Sequence, residues 1–275
     1  MDTDGYSTTP CRVVTGGFYD GLVIERRVHP GGVECVEVGC LRLVEVSPPE
    51  VSVEYRLAMD RVWDEAVFAS GGALFDGPVV VCAGLERGEA GGFEVFWAPV
   101  TYRHFALRRV PGAVALPAIF VAVVQPTTDG RVLVGRMSAS TAAPGRWQLP
   151  GGSVEPPGGG QELDVAALGR HAARELAEET GIEVAGEELR LWVVTRGEHG
   201  NVGVFFVASC RPESVLRERF AGVVSAARAL GCDPELVEIA FVGSVGELAE
   251  LGGPHADYLE LVVGRYLSGL ASEVS

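Results

Sequence analysis

The run Arg174-Glu175-Leu176-Ala177-Glu178-Glu179-Thr180-Gly181-Ile182 decides the fold of this chain. Glu175, Glu178 and Glu179 stand at i, i+3 and i+4, so a helix places all three on one face, a few ångström apart. Three like charges so close are unfavourable on an isolated helix. A hard divalent cation, which takes oxygen ligands and keeps water and substrate phosphates in its shell, removes that conflict. Arg174 is placed to orient one glutamate by a bidentate contact. Ala166, Ala167, Ala173, Leu176 and Ala177 form the opposite face and suit close packing on a sheet. The helix is predicted over Leu163 to Thr180, with Gly181 as its C-terminal cap. A plain solvated acidic face is the alternative reading. The preceding arginine, the following glycine and the upstream turn Leu149-Pro150-Gly151-Gly152 favour a built site.

Upstream, Val114–Val124 reads as a buried strand. Pro126-Thr127-Thr128-Asp129-Gly130 is a turn and Arg131–Arg136 a returning strand, which together predict a hairpin. Trp147 to Gly152 leads into a polar, Gly/Pro-rich stretch from Glu155 to Gln161. Downstream, strands are predicted at Leu189–Thr195, Val202–Ser209 and Ile239–Val242, and helices at Pro212–Leu230 and Asp257–Leu267. The first 112 residues read mostly as short strands: Leu22–Ile24, Leu41–Val46, Pro78–Ala83 and Phe93–Trp97. Val51 to Phe68 has helical spacing, and Tyr102–Arg109 suits a short helix. Pro111-Gly112 makes a boundary. The expected organisation is a β-rich region over 1–112 that shapes substrate choice, followed by a catalytic domain over 113–275.

From Arg174 to Ile182 the sequence resembles the Nudix hydrolases, whose signature is a glycine, a glutamate six positions later, then Arg-Glu-x-x-Glu-Glu-x-Gly and an aliphatic residue. Trp147–Gly152 matches the usual lead-in. The resemblance implies an α/β fold, an α/β/α sandwich with a mixed sheet, preceded here by the β-rich N-terminal region. It implies Mg2+ (or Mn2+) held by Glu175, Glu178 and Glu179, with the carbonyl of Gly151 or Gly152 as a further ligand, and catalytic roles for Arg174, Glu178 and Glu179. The attacking water would be activated by one of these glutamates or by one on a later loop. One departure stands out: the position six after Gly152 is Gly158, and Gly152 and Arg174 are 22 positions apart, about eight more than in the family. Glu162 is the displaced counterpart of the first glutamate, and 155–163 is an inserted loop of unassigned role. Glu235 and Glu238, before Phe241-Val242-Gly243, and Glu198, in Gly197-Glu198-His199-Gly200-Asn201, are candidates to support the site or act as base; a solvated loop is the alternative. Arg136, ending the hairpin strand, is where such enzymes hold a phosphate or a base.

Trp63, then Leu74-Phe75-Asp76-Gly77-Pro78, then Tyr102-Arg103-His104-Phe105 is similar to the N-terminal region of mammalian Nudix enzymes that hydrolyse UDP-glucose and UDP-galactose. That similarity makes a UDP-sugar the leading substrate and Phe75 and Tyr102 candidates to stack on its base, unless these aromatics serve only as core.

The bulk properties agree with a small-molecule enzyme. A net charge of −15 argues against nucleic acid or anionic lipid as partner. All 22 basic residues are arginine, which excludes lysine Schiff-base chemistry and suits bidentate phosphate contacts. The six cysteines form no C-x-x-C pair, so a zinc site is not expected. The longest apolar run, 113–124, is interrupted by Pro117 and too short to span a bilayer. No signal-peptide pattern is visible. A cytoplasmic protein with reduced thiols is expected, and its Arg-, Ala-, Gly- and Val-rich usage points to a bacterium. The family resemblance implies a homodimer. The expected reaction is hydrolysis of a diphosphate linkage in a nucleoside diphosphate derivative, giving a nucleoside monophosphate and a sugar phosphate. An NTP, a dinucleotide or a prenyl diphosphate of secondary metabolism is the alternative substrate. A non-catalytic ligand-sensing module is the alternative role.

Overall fold

In the computed structural model the described residues are 33–273, apart from 39, 73 and 89–91. The predicted strand at 22–24 lies outside them.

Local chemistry sets the central helix, α2 (Val165–Thr180). The Asp164 side chain accepts the Ala167 N–H at 2.7 Å, which caps the first turn. Gly181 ends the helix in the left-handed region (φ 73°), where a side chain would be strained, and donates its N–H to the Ala177 carbonyl. Leu168, Ala172, Ala173 and Leu176 form the buried face.

That face packs on a five-stranded mixed sheet. Its strands are β1 (Glu34–Glu37), β5 (Ile119–Val124), β8 (Gly151–Ser153), β9 (Arg190–Arg196) and β10 (Val202–Val207), in the order β1-β9-β10-β5-β8. β10 and β5 run parallel and the other pairs antiparallel. Side chains alternate between the faces as a strand requires. Ile119, Val121 and Val123 join Leu168, Ala172 and Leu176 of α2 and Leu216 and Phe220 of α3 (Glu213–Ala229) in one core. Ala122 and Val124 point the other way, into a second core with Leu259, Val262 and Val263 of α5 (Leu259–Glu273). The result is the expected helix–sheet–helix sandwich.

β6 (Val132–Met137), β7 (Trp147–Gln148) and β11 (Leu236–Val242) form a separate antiparallel sheet, ordered β11-β6-β7. The hairpin predicted between β5 and β6 is therefore not made. The two segments share backbone pairing at the turn, through the Pro126–Val132 bridge and the Leu133 N–H to the Gln125 carbonyl at 3.0 Å, and then enter different sheets. β5 already has β10 on one edge and β8 on the other, so β6 must peel away. The strand also starts later than predicted; Val114 is 79% exposed. A short helix the periodicity missed, α4 (Val245–Glu250), follows β11.

A third sheet comes from the first part of the chain: β2 (Leu41–Glu45), β3 (Pro78–Arg87) and β4 (Phe93–Thr101), ordered β2-β4-β3. Helix α1 (Val53–Ala69) precedes β3, and Tyr102–Arg109 forms a 3-10 helix. Val80, Val95 and Trp97 belong to the same core as Val121 and Leu168. The Val80 N–H donates to the Val154 carbonyl and the Cys82 N–H to the Pro117 carbonyl. No described helix is long and apolar enough to cross a membrane.

Candidate active site

β8 brings the Gly-Gly turn against the acidic face of α2. Gly151 is required by close approach: a Cβ there would lie 2.1 Å from the Val121 carbonyl oxygen. Its N–H donates to Oε2 of Glu179 at 2.8 Å. Glu179 is 2% exposed, and its Oε1 is buried with no hydrogen-bond partner. Its carboxyl is pushed well above the usual carboxylate range, first by burial, then by repulsion from Glu235; the Gly151 N–H opposes this, and Glu175 and Glu178 add to it. Gly152 touches Glu175, and a Cβ built on it would stand 2.4 Å from Glu175 Oε2. Glu175 Oε1 lies 3.0 Å from Nε2 of the buried His171 and 3.5 Å from Arg174 Nη2. Glu178 is more open, its side chain 64% exposed and its Oε1 3.9 Å from Arg174 Nε.

Arg174 thus lies among Glu175, Glu178 and Glu155, the last at 3.6 Å. Glu162 sits exposed in the loop two residues before the cap Asp164. Across the second sheet Glu238 pairs with Arg136, Nη1 to Oε2 at 3.3 Å, both on the surface. Glu235, exposed just before β11, is within electrostatic reach of the cluster instead. Its carboxyl is raised by partial loss of water and then by Glu175 and Glu178. Glu198 falls in a short 3-10 turn after β9, and its side chain lies outside the described residues. Tyr102 packs edge-on against Trp63 and Phe105, with centroids 6.1 and 5.3 Å away. Burial raises its phenol, Arg108 and Arg146 lower it and Glu235 raises it, so this N-terminal residue is within electrostatic reach of the cluster. Phe75 is 80% exposed.

Sequence reasoning missed two residues. His171 stands at i−4 from Glu175, a spacing that could have flagged it. Glu155 reaches Arg174 from an irregular loop, where no periodicity announces a partner.

Among the described residues no three His, Cys, Asp or Glu side chains are already gathered closely enough to cage a metal. The donor set nevertheless fits a hard cation. A buried carboxylate oxygen lacks a partner, and the Glu235, Glu175 and Glu178 carboxylates crowd Glu179 with like charge that a cation would offset.

A mixed sheet between helices, with a Gly-Gly strand lying on a three-glutamate helix face, defines the α/β-sandwich pyrophosphohydrolases as the class. The sequence pattern of the NUDIX domain matches residues 116–260, more than half of the chain. The chain belongs to the Nudix family, which generally works with divalent metal cations. Similar solved structures include the MutT protein from Methanosarcina mazei Go1, at 20% identity over 58% of this chain and 96% of that one, with a TM-score of 0.36. The MutT NUDIX hydrolase from Burkholderia pseudomallei is 20% identical over 54% and 95% of the two chains, with a TM-score of 0.34. Shewanella oneidensis NrtR, solved with a 27mer DNA, is 14% identical over 57% and 62%, with a TM-score of 0.35. No curated protein matches the chain.

Proposed function

We propose that the protein hydrolyses the diphosphate linkage of a nucleoside diphosphate derivative, with a UDP-sugar as the leading substrate and Mg2+ (or Mn2+) as cofactor. The observation that carries this reading is the unpartnered Oε1 of Glu179, buried beside Glu175, Glu178 and Glu235. Glu175, Glu178 and Glu179 would hold the metal, with the Gly152 carbonyl beside them. Such an ion, when bound, neutralises the diphosphate and lowers the pKa of its water. The Gly151 N–H fixes Glu179. Arg174 sits among Glu155, Glu175 and Glu178 and spaces their carboxylates. Glu178, the most exposed of the three, is the base that takes the proton of the attacking water onto a carboxylate oxygen.

Arg136 needs only to exchange its surface partner Glu238 for a substrate phosphate. In the N-terminal region Trp63, Tyr102 and Phe105 pack together, and Asp76 accepts from the Arg103 backbone N–H at 2.8 Å and its Nε at 2.6 Å. This supports residues 1–112 as a substrate-shaping wall for the domain at 113–275, with the exposed Phe75 offered to a nucleotide base. Glu162 and Glu198 remain candidates to support the site. We place the protein in a bacterial cytoplasm, as a homodimer acting on a small molecule rather than on nucleic acid.

The test is phosphate-coupled turnover against UDP-sugars, NTPs, dinucleotides, ADP-ribose and prenyl diphosphates, with and without Mg2+. Mg2+-dependent cleavage of UDP-sugars alone, releasing UMP and a sugar phosphate, is expected. Cleavage of another member would discard the UDP-sugar. Silence across the panel with tight binding of one compound would overturn the enzymatic reading in favour of a sensor.

A further inference from the structure

We infer that His171 is a positioning residue that sets the Glu175 carboxylate for its metal; this rests on the metal-site reading above. Glu175 and Glu178 lie one helical turn apart but in different surroundings. The Glu178 side chain is 64% exposed, with Arg174 Nε 3.9 Å from its Oε1. The Glu175 side chain is 14% exposed, so an ionised carboxylate there depends on neighbouring polar groups in place of water. Three neighbours confine it. Gly152 lies on the Oε2 side, so close that even a methyl group there would stand 2.4 Å from that oxygen. His171 Nε2 stands 3.0 Å from Oε1, and Arg174 Nη2 stands 3.5 Å from the same oxygen.

Of the two nitrogen groups only His171 is itself fixed. Its side chain is 9% exposed, on the buried side of α2, whereas the Arg174 side chain is 45% exposed and divides its charge among Glu155, Glu175 and Glu178. Arg174 Nη2 also stands 3.4 Å from each ring nitrogen. With its proton on Nε2, the imidazole holds Oε1, and Oε2 is left along Gly152. His171 therefore makes Glu175 the preordered ligand, and Glu178 the one that moves onto the ion. Partners of this kind, which touch a ligand and not the metal, are worth about 10- to 100-fold in metal affinity.

The test is Mn2+ binding to the full chain without substrate, read by electron paramagnetic resonance. His171→Leu should weaken binding about 10- to 100-fold with the helical circular dichroism retained. His171→Gln, whose amide nitrogen reaches the Nε2 position, should restore it to within a few-fold of wild type. Where His171→Leu fails to fold, His171→Asn replaces it: its shorter amide should bind Mn2+ weakly while His171→Gln binds well. Wild-type affinity in the leucine or asparagine variant overturns the inference, as does a glutamine variant no better than either. A wild-type chain that binds no Mn2+ removes the metal site itself, and the inference with it.

Discussion

Gly152→Ala isolates the geometry of one carboxylate. The Gly152 φ lies outside the left-handed region, so alanine meets no backbone strain there. Its methyl group would stand 2.4 Å from Oε2, 2.7 Å from Cδ and 3.2 Å from Oε1 of Glu175. Ordinary contact begins near 3.4 Å, so the carboxylate must retreat by about 1 Å. What it meets is the end of a side chain and not backbone, so the helix and sheet stay in place, and the loss of stability should be about 1 kcal/mol. The loss of rate should be far larger, because a 1 Å misplacement of a reacting constellation costs about 100-fold. Gly151→Ala is the control: its methyl would lie 2.1 Å from the Val121 carbonyl oxygen and 2.6 Å from the Ala122 Cα, which is backbone and cannot yield. That change should break the β5–β8 pairing and lower the melting temperature sharply. Steady-state turnover of the substrate found in the panel, thermal melts and Mn2+ affinity distinguish the two. A Gly152→Ala protein with wild-type kcat and wild-type Mn2+ affinity would refute the placement of Glu175 at the metal.

Glu178→Gln should lower kcat by about 10²- to 10⁴-fold, the usual worth of a general base, with an unchanged melt, since the side chain is 64% exposed; near-normal turnover in Mg2+ would remove its catalytic role. The raised carboxyl of Glu179 carries a pH signature in metal-free protein. Its folded value lies above the unfolded one, so its contribution to stability is whole below the unfolded value and is lost as pH rises through the folded value. Glu179→Gln should therefore show a smaller fall in melting temperature between pH 5 and pH 8 in EDTA, and should lose the stabilisation that Mg2+ gives the wild type; equal falls in the two proteins would contradict the burial argument. Gly181→Ala should cost at least about 1–2 kcal/mol in urea unfolding, because φ is +73° and the Cβ would sit 2.8 Å from the Arg219 carbonyl oxygen of α3. An unchanged midpoint would mean that the helix ends elsewhere.

What could be read from the sequence was local. Helix α2 and its glycine cap follow from a 3.6-residue period and one left-handed glycine, and both are present, with Glu175, Glu178 and Glu179 on its last turns. Sheet partnership is not local. Val114–Val124 and Arg131–Arg136 look like a hairpin because a turn joins them, yet β5 is claimed on both edges by β8 and β10, strands from distant parts of the chain. Burial within the acidic run was equally hidden. Glu178 and Glu179 are neighbours in sequence, but the 100° step between them turns one to solvent and the other into the sheet. The same limit separates Glu235 from Glu238: the register of β11 against β6 sets Glu238 opposite Arg136, while Glu235, just before the strand, is within electrostatic reach of Glu175 and Glu178.

The described residues before Pro111 are tied to the rest of the fold by sheet pairing, core packing and hydrogen bonds. β1 extends the central sheet by pairing with β9, and Val80, Val95 and Trp97 fill the core that α2 closes. Arg108, in the 3-10 helix, donates at 2.6 Å to Asn201 Oδ1, which also accepts the Ala118 N–H at 2.8 Å. One side chain thereby ties the N-terminal region both to the start of β5 and to the turn that carries Glu198. Tyr102 in the same 3-10 helix is within electrostatic reach of Glu235. On the proposed reading of this region as a substrate-shaping wall, a wall fastened in this way would select by a fixed shape, since moving it would break sheet pairing and core packing together. Closure around the substrate would then have to come from surface side chains such as Arg136 and Glu178, whose neighbours leave them room to turn.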